Sequence, residues 1–332
     1  MRALVTGGGG FLGRALIDGL LEQGAEVASL ARGSYPELAA RGVETLRGDV
    51  ADAAAVQAAC AGRDVVFHAA AKAGVYGPRA EYARTNVDGT RCVVEACRVQ
   101  GVPRLVYTSS PSVCFDGADH VRAGNDLPYA KRFLCAYPAT KAEAARLVLS
   151  ANDARLATCA LRPHLIFGPG DPHLLPRLLE RARAGRLAIV GRGDNEVSLT
   201  FVENAAAAHL DAARSLAPGA PHAGRAYFIA QEEPVRLWSF VAEMLAAAGL
   251  SAPQRRVPTG AAYAAGLACE GLWRLLRRSG EPPMTRFVAL QLAATHTYDL
   301  APARRDFGYR ERVPLASALE RTAQGLRPGG PG

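Results

Sequence analysis

An α/β fold built on a doubly wound parallel sheet, with a smaller C-terminal substrate-binding region, is the architecture the sequence predicts. Three observations lead there. Short apolar runs alternate with amphipathic helical stretches at the spacing of parallel-strand crossovers. The first of those runs is followed at once by a glycine-rich turn and a helix. The chain has 332 residues, 49% of them hydrophobic, enough for one large or two modest domains.

Taken in order, a strand starting at Arg2 or Ala3 ends at Thr6, Gly7 to Gly13 make the turn, and a helix follows through Leu21. The glycines fit GxGxxG as Gly8, Gly10 and Gly13, and GxxGxxG as Gly7, Gly10 and Gly13. Strand, glycine turn and helix N-terminus together form a receptor for a dinucleotide pyrophosphate, the Rossmann arrangement. The second strand, Glu26 to Leu30, runs into Ala31-Arg32. A carboxylate there would bind the ribose 2′-hydroxyl of NAD, whereas the Arg32 guanidinium suits a 2′-phosphate, so NADP(H) is the expected cofactor. A third strand lies near Glu44 to Leu46. After it, Asp49 either meets the adenine amino group or caps the helix starting at Asp52. Val65 to His68 is the fourth strand, with His68 read as a packed core histidine, and Ala69 to Ala71 are small enough for a cofactor to approach their backbone. A helix over Asn86 to Val99 is broken at Gly101-Val-Pro103 before the fifth strand, Leu105 to Tyr107.

That fifth strand carries Thr108-Ser-Ser110, and Tyr137-Pro-Ala-Thr-Lys141 follows a loop. Residues four apart share a helix face, so the Lys141 ammonium can lie beneath the Tyr137 phenol and lower its pKa from near ~10 toward working pH. Pro138 is tolerated in a first helical turn. With only Lys72, Lys131 and Lys141 in an arginine-rich chain, a lysine at this offset reads as chosen for its compact, titratable ammonium. If Ser110 joins the pair, a hydrogen-bond donor, a proton carrier and a positive charge converge.

The formal charge of +8 is spread along the chain with no basic run interleaved with aromatics, so a nucleic-acid partner is not expected. Seven cysteines, without a CxxC pair, read as free thiols of a reducing cytoplasm, and no metal site is expected. With the first strand beginning at Arg2 or Ala3, no signal peptide is expected. Beyond Gly168, helices are expected at Leu174–Ala184, Glu203–Ser215 and Leu237–Ala248, and a strand at Ala226–Ala230. The predicted division is 1–165 for dinucleotide binding and 166–332 for substrate, with 198–231 returning to the sheet. Ala261 to Leu276 is too short and interrupted to span a bilayer. It has the composition of a helix lying on a membrane, a lid, or an ordinary packed helix.

The sequence resembles the extended short-chain dehydrogenase/reductases. The resemblance is carried, in order, by Thr6-Gly7-x-x-Gly10-Phe-Leu-Gly13, Gly48-Asp49-Val50, His68-Ala-Ala-Ala71 and Thr85-Asn86-Val-x-Gly89-Thr90. Thr108-Ser-Ser110, Tyr137-x-x-x-Lys141, Leu161-Arg162-Pro163 and Phe167-Gly-Pro-Gly-Asp171 continue it. It implies that Tyr137 donates or accepts the proton, that Lys141 binds the nicotinamide ribose and lowers the Tyr137 pKa, and that Ser110, rather than Ser109, holds the substrate oxygen. It further implies that Phe11, Leu12, Val50, Pro163 and Ile166 line the dinucleotide cleft, and that the chain dimerises through two helices flanking the sheet.

The second half, with Ser198-Leu-Thr-Phe201-Val-Glu-Asn204, resembles the 3β-hydroxysteroid dehydrogenase and sterol decarboxylase branch more than the sugar-nucleotide epimerases. Thr108 to Val113, Phe115-Asp-Gly117 and Glu281-Pro-Pro-Met-Thr-Arg286 are similar to bacterial reductases of long-chain β-keto acids in olefin hydrocarbon synthesis. The expected reaction is NADPH-dependent reduction of such a ketone to the 3-hydroxy acid, with Lys72 and His173 facing the substrate carboxylate. A hydroxysteroid or sterol-carboxylate dehydrogenase, a sugar-nucleotide enzyme and a non-catalytic NADP sensor are the alternatives.

Overall fold

The structure, a computed structural model, describes residues 1–327; the last five residues of the expected substrate region lie outside it. Its centre is a seven-stranded parallel sheet. The first five strands are β1 (Arg2–Thr6), β2 (Glu26–Ala31), β3 (Glu44–Arg47), β4 (Val65–His68) and β5 (Arg104–Thr108). Ala157–Pro163 and Arg225–Ile229 complete the sheet in the spatial order Arg225–Ile229, Ala157–Pro163, β5, β4, β1, β2, β3. The order reverses at β1, whose neighbours are β2 and β4, and that reversal opens a crevice at the carboxyl ends of the strands.

Burial on both faces explains why the inner strands are runs of apolar residues rather than alternating ones: all four residues of β4 and all seven of Ala157–Pro163 are buried. One face is covered by the helix Phe11–Glu22 and by Val202–Ser215, the other by Ala53–Cys60, Gly89–Gln100 and Ala136–Ser150. Asp52 caps Ala53–Cys60 by accepting from the N–H groups of Ala54 and Ala55, so the capping role considered for Asp49 belongs to Asp52. His68 is packed in the core as expected, with Nδ1 2.7 Å from the Thr6 hydroxyl and Nε2 3.0 Å from that of Thr90. The helix expected from Asn86 starts regularly only at Gly89, because Arg84–Asp88 form a π-helical turn.

After Pro163 the chain leaves the sheet. Leu165 takes a left-handed φ of +43°, and Ile166–Phe167 pair with Thr200–Phe201 in a separate two-stranded piece. A small four-stranded sheet of Val235–Arg236, Glu196–Val197, His296–Tyr298 and His120–Ala123 was not legible beforehand. Its strands are two to four residues long, below the length at which alternation can be read. The helix Thr259–Leu275 buries only Ala262, Gly266 and Glu270, a stripe at four-residue spacing against the segment that begins the helix Arg286–Ala293. Glu270 pairs there with Arg286 at 2.8 Å. Its outer face is open, with Leu267, Leu272 and Leu275 exposed, as is Leu276 at its C-terminal cap, while Ala262 and Tyr263 join the core of the C-terminal region. Among the described residues no helix is long and apolar enough to cross a membrane.

Candidate active site

A cleft of about 700 Å³ runs along the crevice at the carboxyl edge of the sheet. Gly7 (φ +74°) and Gly13 fix its first wall. A Cβ on Gly13 would stand 2.2 Å from the Gly7 carbonyl oxygen and 2.8 Å from the Gly8 Cα, both backbone, so turn and helix meet only because no side chain intervenes. The helix Phe11–Glu22 opens at Gly10 without a side-chain cap. Its first N–H groups and the positive end of its dipole are therefore left for an anion from the cleft. The helix Leu174–Arg183, whose N-terminus also borders the cleft, is the opposite case. The Asp171 carboxylate accepts from the N–H groups of His173, Leu174 and Leu175 at 2.8–3.2 Å and fills that anion site from within.

The expected cofactor residues Gly7, Gly10, Phe11, Leu12, Gly13, Arg32, Asp49, Val50, Ala69, Ala71, Tyr137, Lys141 and Ile166 all border this cleft. Pro163 does not. It is buried in the sixth strand, in register with Ile229, and the left-handed turn brings Leu165 to the cleft instead. Asp49 accepts from the Ala51 N–H at 3.0 Å and pairs with Arg84 at 2.9 Å. That N–H, with the Arg84 and Arg32 charges, holds its carboxyl below the usual range. Tyr35 was missed: its ring lies where a Cβ on Gly9 would point, 2.0 Å away, so it packs on the glycine turn beside Arg32. Nothing in its sequence context signals this, because the contact depends on how the chain folds back after β2.

At the other end of the cleft, Tyr137 stands in the first turn of Ala136–Ser150, with Lys141 one turn on. Lys141 is buried; its ammonium donates to the Thr108 carbonyl at 2.5 Å and lies 4.2 Å from the centre of the Tyr107 ring. Burial lowers its pKa to about 7. Burial also raises the Tyr137 phenol above its ordinary value, against the smaller opposing pull of the nearby Ser110 hydroxyl. The expected lowering of the Tyr137 pKa is thus not found. Desolvation outweighs the nearby groups, and the Lys141 ammonium is committed to the end of β5. Ser110 meets Tyr137 without forming part of the cleft wall, and its hydroxyl lies 2.9 Å from that of Ser112. Ser109 borders the cleft, with its hydroxyl buried and unpartnered among the described residues. Asn86 ties this corner together. Its side chain bonds both the N–H and the carbonyl of Lys72, at 2.7 and 3.1 Å, and reaches Thr140, between Tyr137 and Lys141, at 3.0 Å.

Lys72 itself turns away. Its ammonium pairs with Glu81 and sits over the Tyr82 ring, outside the cleft, because the helix Arg79–Ala83 offers it a carboxylate. His173 does border the cleft. The basic groups that sequence reasoning missed are Arg177 and Arg181, which share the cleft-facing stripe of Leu174–Arg183 with Leu174 and Leu178. Arg177 pairs with Glu281 at 3.0 Å, and the same carboxylate accepts from the Val75 N–H at 2.9 Å. The i, i+3, i+4, i+7 spacing of this stripe was a usable signal, masked by the abundance of arginine elsewhere.

The chain is similar to several known proteins. Residues 4–259 match the model of the 3-beta hydroxysteroid dehydrogenase/isomerase family. The chain is 51% identical over 323 residues to the 2-alkyl-3-oxoalkanoate reductase of Stenotrophomonas maltophilia, covering 97% of this chain and 98% of that one. It is 36% identical over 335 residues to the decarboxylating sterol-4-alpha-carboxylate 3-dehydrogenase of Mus musculus, covering 97% and 90%. Among solved structures, MoeE5 in complex with UDP-glucose and NAD superposes with a TM-score of 0.73 at 27% identity, covering 98% of each chain. The chain belongs to the 3-beta hydroxysteroid dehydrogenase/isomerase family and is an oxidoreductase.

Proposed function

We propose that this protein reduces the ketone of a long-chain 2-alkyl-3-oxoalkanoic acid to the 3-hydroxy acid with NADPH, as a step in olefin hydrocarbon synthesis. The observation that carries the reading is that Tyr137 and Lys141 border one end of a cleft whose other end is the glycine turn and an uncapped helix N-terminus, with Ser110 close behind the Tyr137 phenol. The residues present suit a nicotinamide dinucleotide: Gly7 and Gly13 let the turn, the segment after β4 and the helix close up so that the helix N-terminus faces the cleft, and Ala69 and Ala71 border it with small side chains. Arg32 borders the cleft at the end of β2 with no carboxylate at that strand end, which favours a 2′-phosphate.

When bound, NADPH supplies the hydride. The remaining work falls to side chains. Tyr137, held protonated by burial, hydrogen-bonds the ketone oxygen and delivers a proton to it, and Ser110 supports the phenol as it becomes phenolate. Lys141, with a pKa of about 7, carries an exchangeable proton at neutral pH. Leu174, Leu178, Leu187, Val288 and Leu292 give the substrate end of the cleft an apolar wall suited to an alkyl chain.

The sterol-carboxylate relative supports a second reading, oxidation of a hydroxysteroid acid at the same residues. A sugar-nucleotide substrate is disfavoured, because Asp171 already occupies the helix N-terminus nearest the substrate end. Consumption of NADPH against NADH with long-chain 3-oxo acids and 3-ketosteroids tests the assignment. A preference for NADPH and the acids supports it, and turnover of steroids alone replaces it.

The exposed leucines of Thr259–Leu275, with Arg274, Arg277 and Arg278 at its end, suit peripheral contact with an anionic lipid surface. Sedimentation with phosphatidylglycerol vesicles, and its loss in Leu272→Asp, is the test. A cytoplasmic location agrees with seven free cysteines. A homodimer through Gly89–Gln100 and Ala136–Ser150, the pair flanking one sheet face, is the assembly we favour; sedimentation equilibrium would test it.

A further inference from the structure

We propose that Arg181, steered by Arg177, is the receptor for the carboxylate of the substrate. The inference rests on the keto-acid reading above and adds the residue that selects acids over neutral ketones. The basic side chains bordering the cleft are Arg32, Lys141, His173, Arg177 and Arg181. Arg32 stands at the opposite end beside Asp49, Lys141 is bound to the Thr108 carbonyl, and Arg177 is paired with Glu281. His173 is exposed to solvent at the start of the helix Leu174–Arg183. Arg181 is half-buried, and its guanidinium has neither an ion pair nor a hydrogen bond among the described residues.

A guanidinium withdrawn from water without a counter-ion is costly, and it is retained where an anion completes it. Burial and the neighbouring Arg177 charge both work against the Arg181 cation, with Glu281 only partly offsetting them. The chemistry of the relatives calls for such a receptor. Their names put a carboxylate on the carbon beside the reacting C–O centre in both cases, at carbon 2 next to the 3-oxo group and at carbon 4 next to the 3-position of the sterol. The planar, five-donor guanidinium suits bidentate capture of such a group, with Leu174 and Leu178 on the same helix face receiving the apolar remainder.

The test uses the reverse reaction, so that acid and alcohol are compared as equally stable starting compounds. NADP⁺ reduction is followed with a 2-alkyl-3-hydroxy acid and with the secondary alcohol that lacks only the carboxyl group. Wild-type protein should prefer the acid. In Arg181→Gln, kcat/KM for the acid should fall about a hundredfold, chiefly through KM, while the alcohol changes much less, so that discrimination collapses; Arg181→Lys should restore part of it. Discrimination that survives in Arg181→Gln, or an equal loss for both compounds, overturns the assignment. So does a matching loss of NADPH affinity in fluorescence titration, which would make Arg181 a cofactor contact. Wild-type protein inactive on both compounds would remove the keto-acid reading itself, and the receptor with it.

Discussion

Tyr137 and Lys141 are shaped by burial more than by each other. Withdrawal from water keeps the phenol protonated, the form a reductase needs at the moment of proton delivery, and brings the ammonium down to about 7. The lysine carries a cost to the fold that can be measured. Free lysine titrates near ~10.4, so between that value and about 7 the unfolded chain binds a proton that the folded chain does not. The Lys141 contribution therefore destabilises the cofactor-free protein fully below about pH 7 and vanishes above the free-lysine value. Expected is a rise in the melting temperature of Lys141→Met over wild type that is larger at pH 7 than at pH 9.5, alongside a loss of turnover. An identical difference at both values would mean that Lys141 is not depressed.

The glycine turn makes the case at the level of elements, because glycines of one run have different neighbours. Gly13 faces backbone, so Gly13→Ala should push the helix Phe11–Glu22 off β1 and cost about 1–3 kcal/mol of stability, with NADPH binding weakened at least tenfold. Gly9 faces the Tyr35 ring, which can swing aside, so Gly9→Ala should cost less on both measures. Urea melts and NADPH titrations of the two variants would show it, and equal damage would contradict the packing described. The sequence alone could not rank these glycines, since four in succession satisfy two motifs at once. Lys72 failed for a related reason: its place after β4 was legible, but the direction of its ammonium was decided by Glu81 on another element.

Over the whole molecule, six of the seven sheet strands were legible as short apolar runs between helical stretches, while Ala157–Pro163, buried along its whole length beside β5, was not. The Tyr137–Lys141 spacing was legible because one helical turn connects them. Arg181, Tyr35 and Glu281 were not, since their roles come from contacts between segments far apart in the chain. Buried histidines add a property of the entire fold. Burial lowers His68 to about 3, and His164 and His209 each to about 4, against ~6.5 for the free side chain. Each contributes stability that is present above pH ~6.5 and lost as pH falls toward those values, because the unfolded chain takes up the proton first. The melting temperature should therefore decline steadily from pH 6.5 to pH 4, with part of the decline removed in His209→Asn. A flat profile over that window would contradict neutral burial.

The proposed reduction turns on Tyr137 delivering a proton to the ketone in the cleft. Its most direct test compares wild type with Tyr137→Phe in NADPH oxidation driven by a long-chain 2-alkyl-3-oxo acid, with NADPH affinity measured in parallel. Expected is a fall in kcat of about 10²–10⁴-fold with NADPH affinity nearly unchanged. Turnover of the variant at the wild-type rate would contradict it.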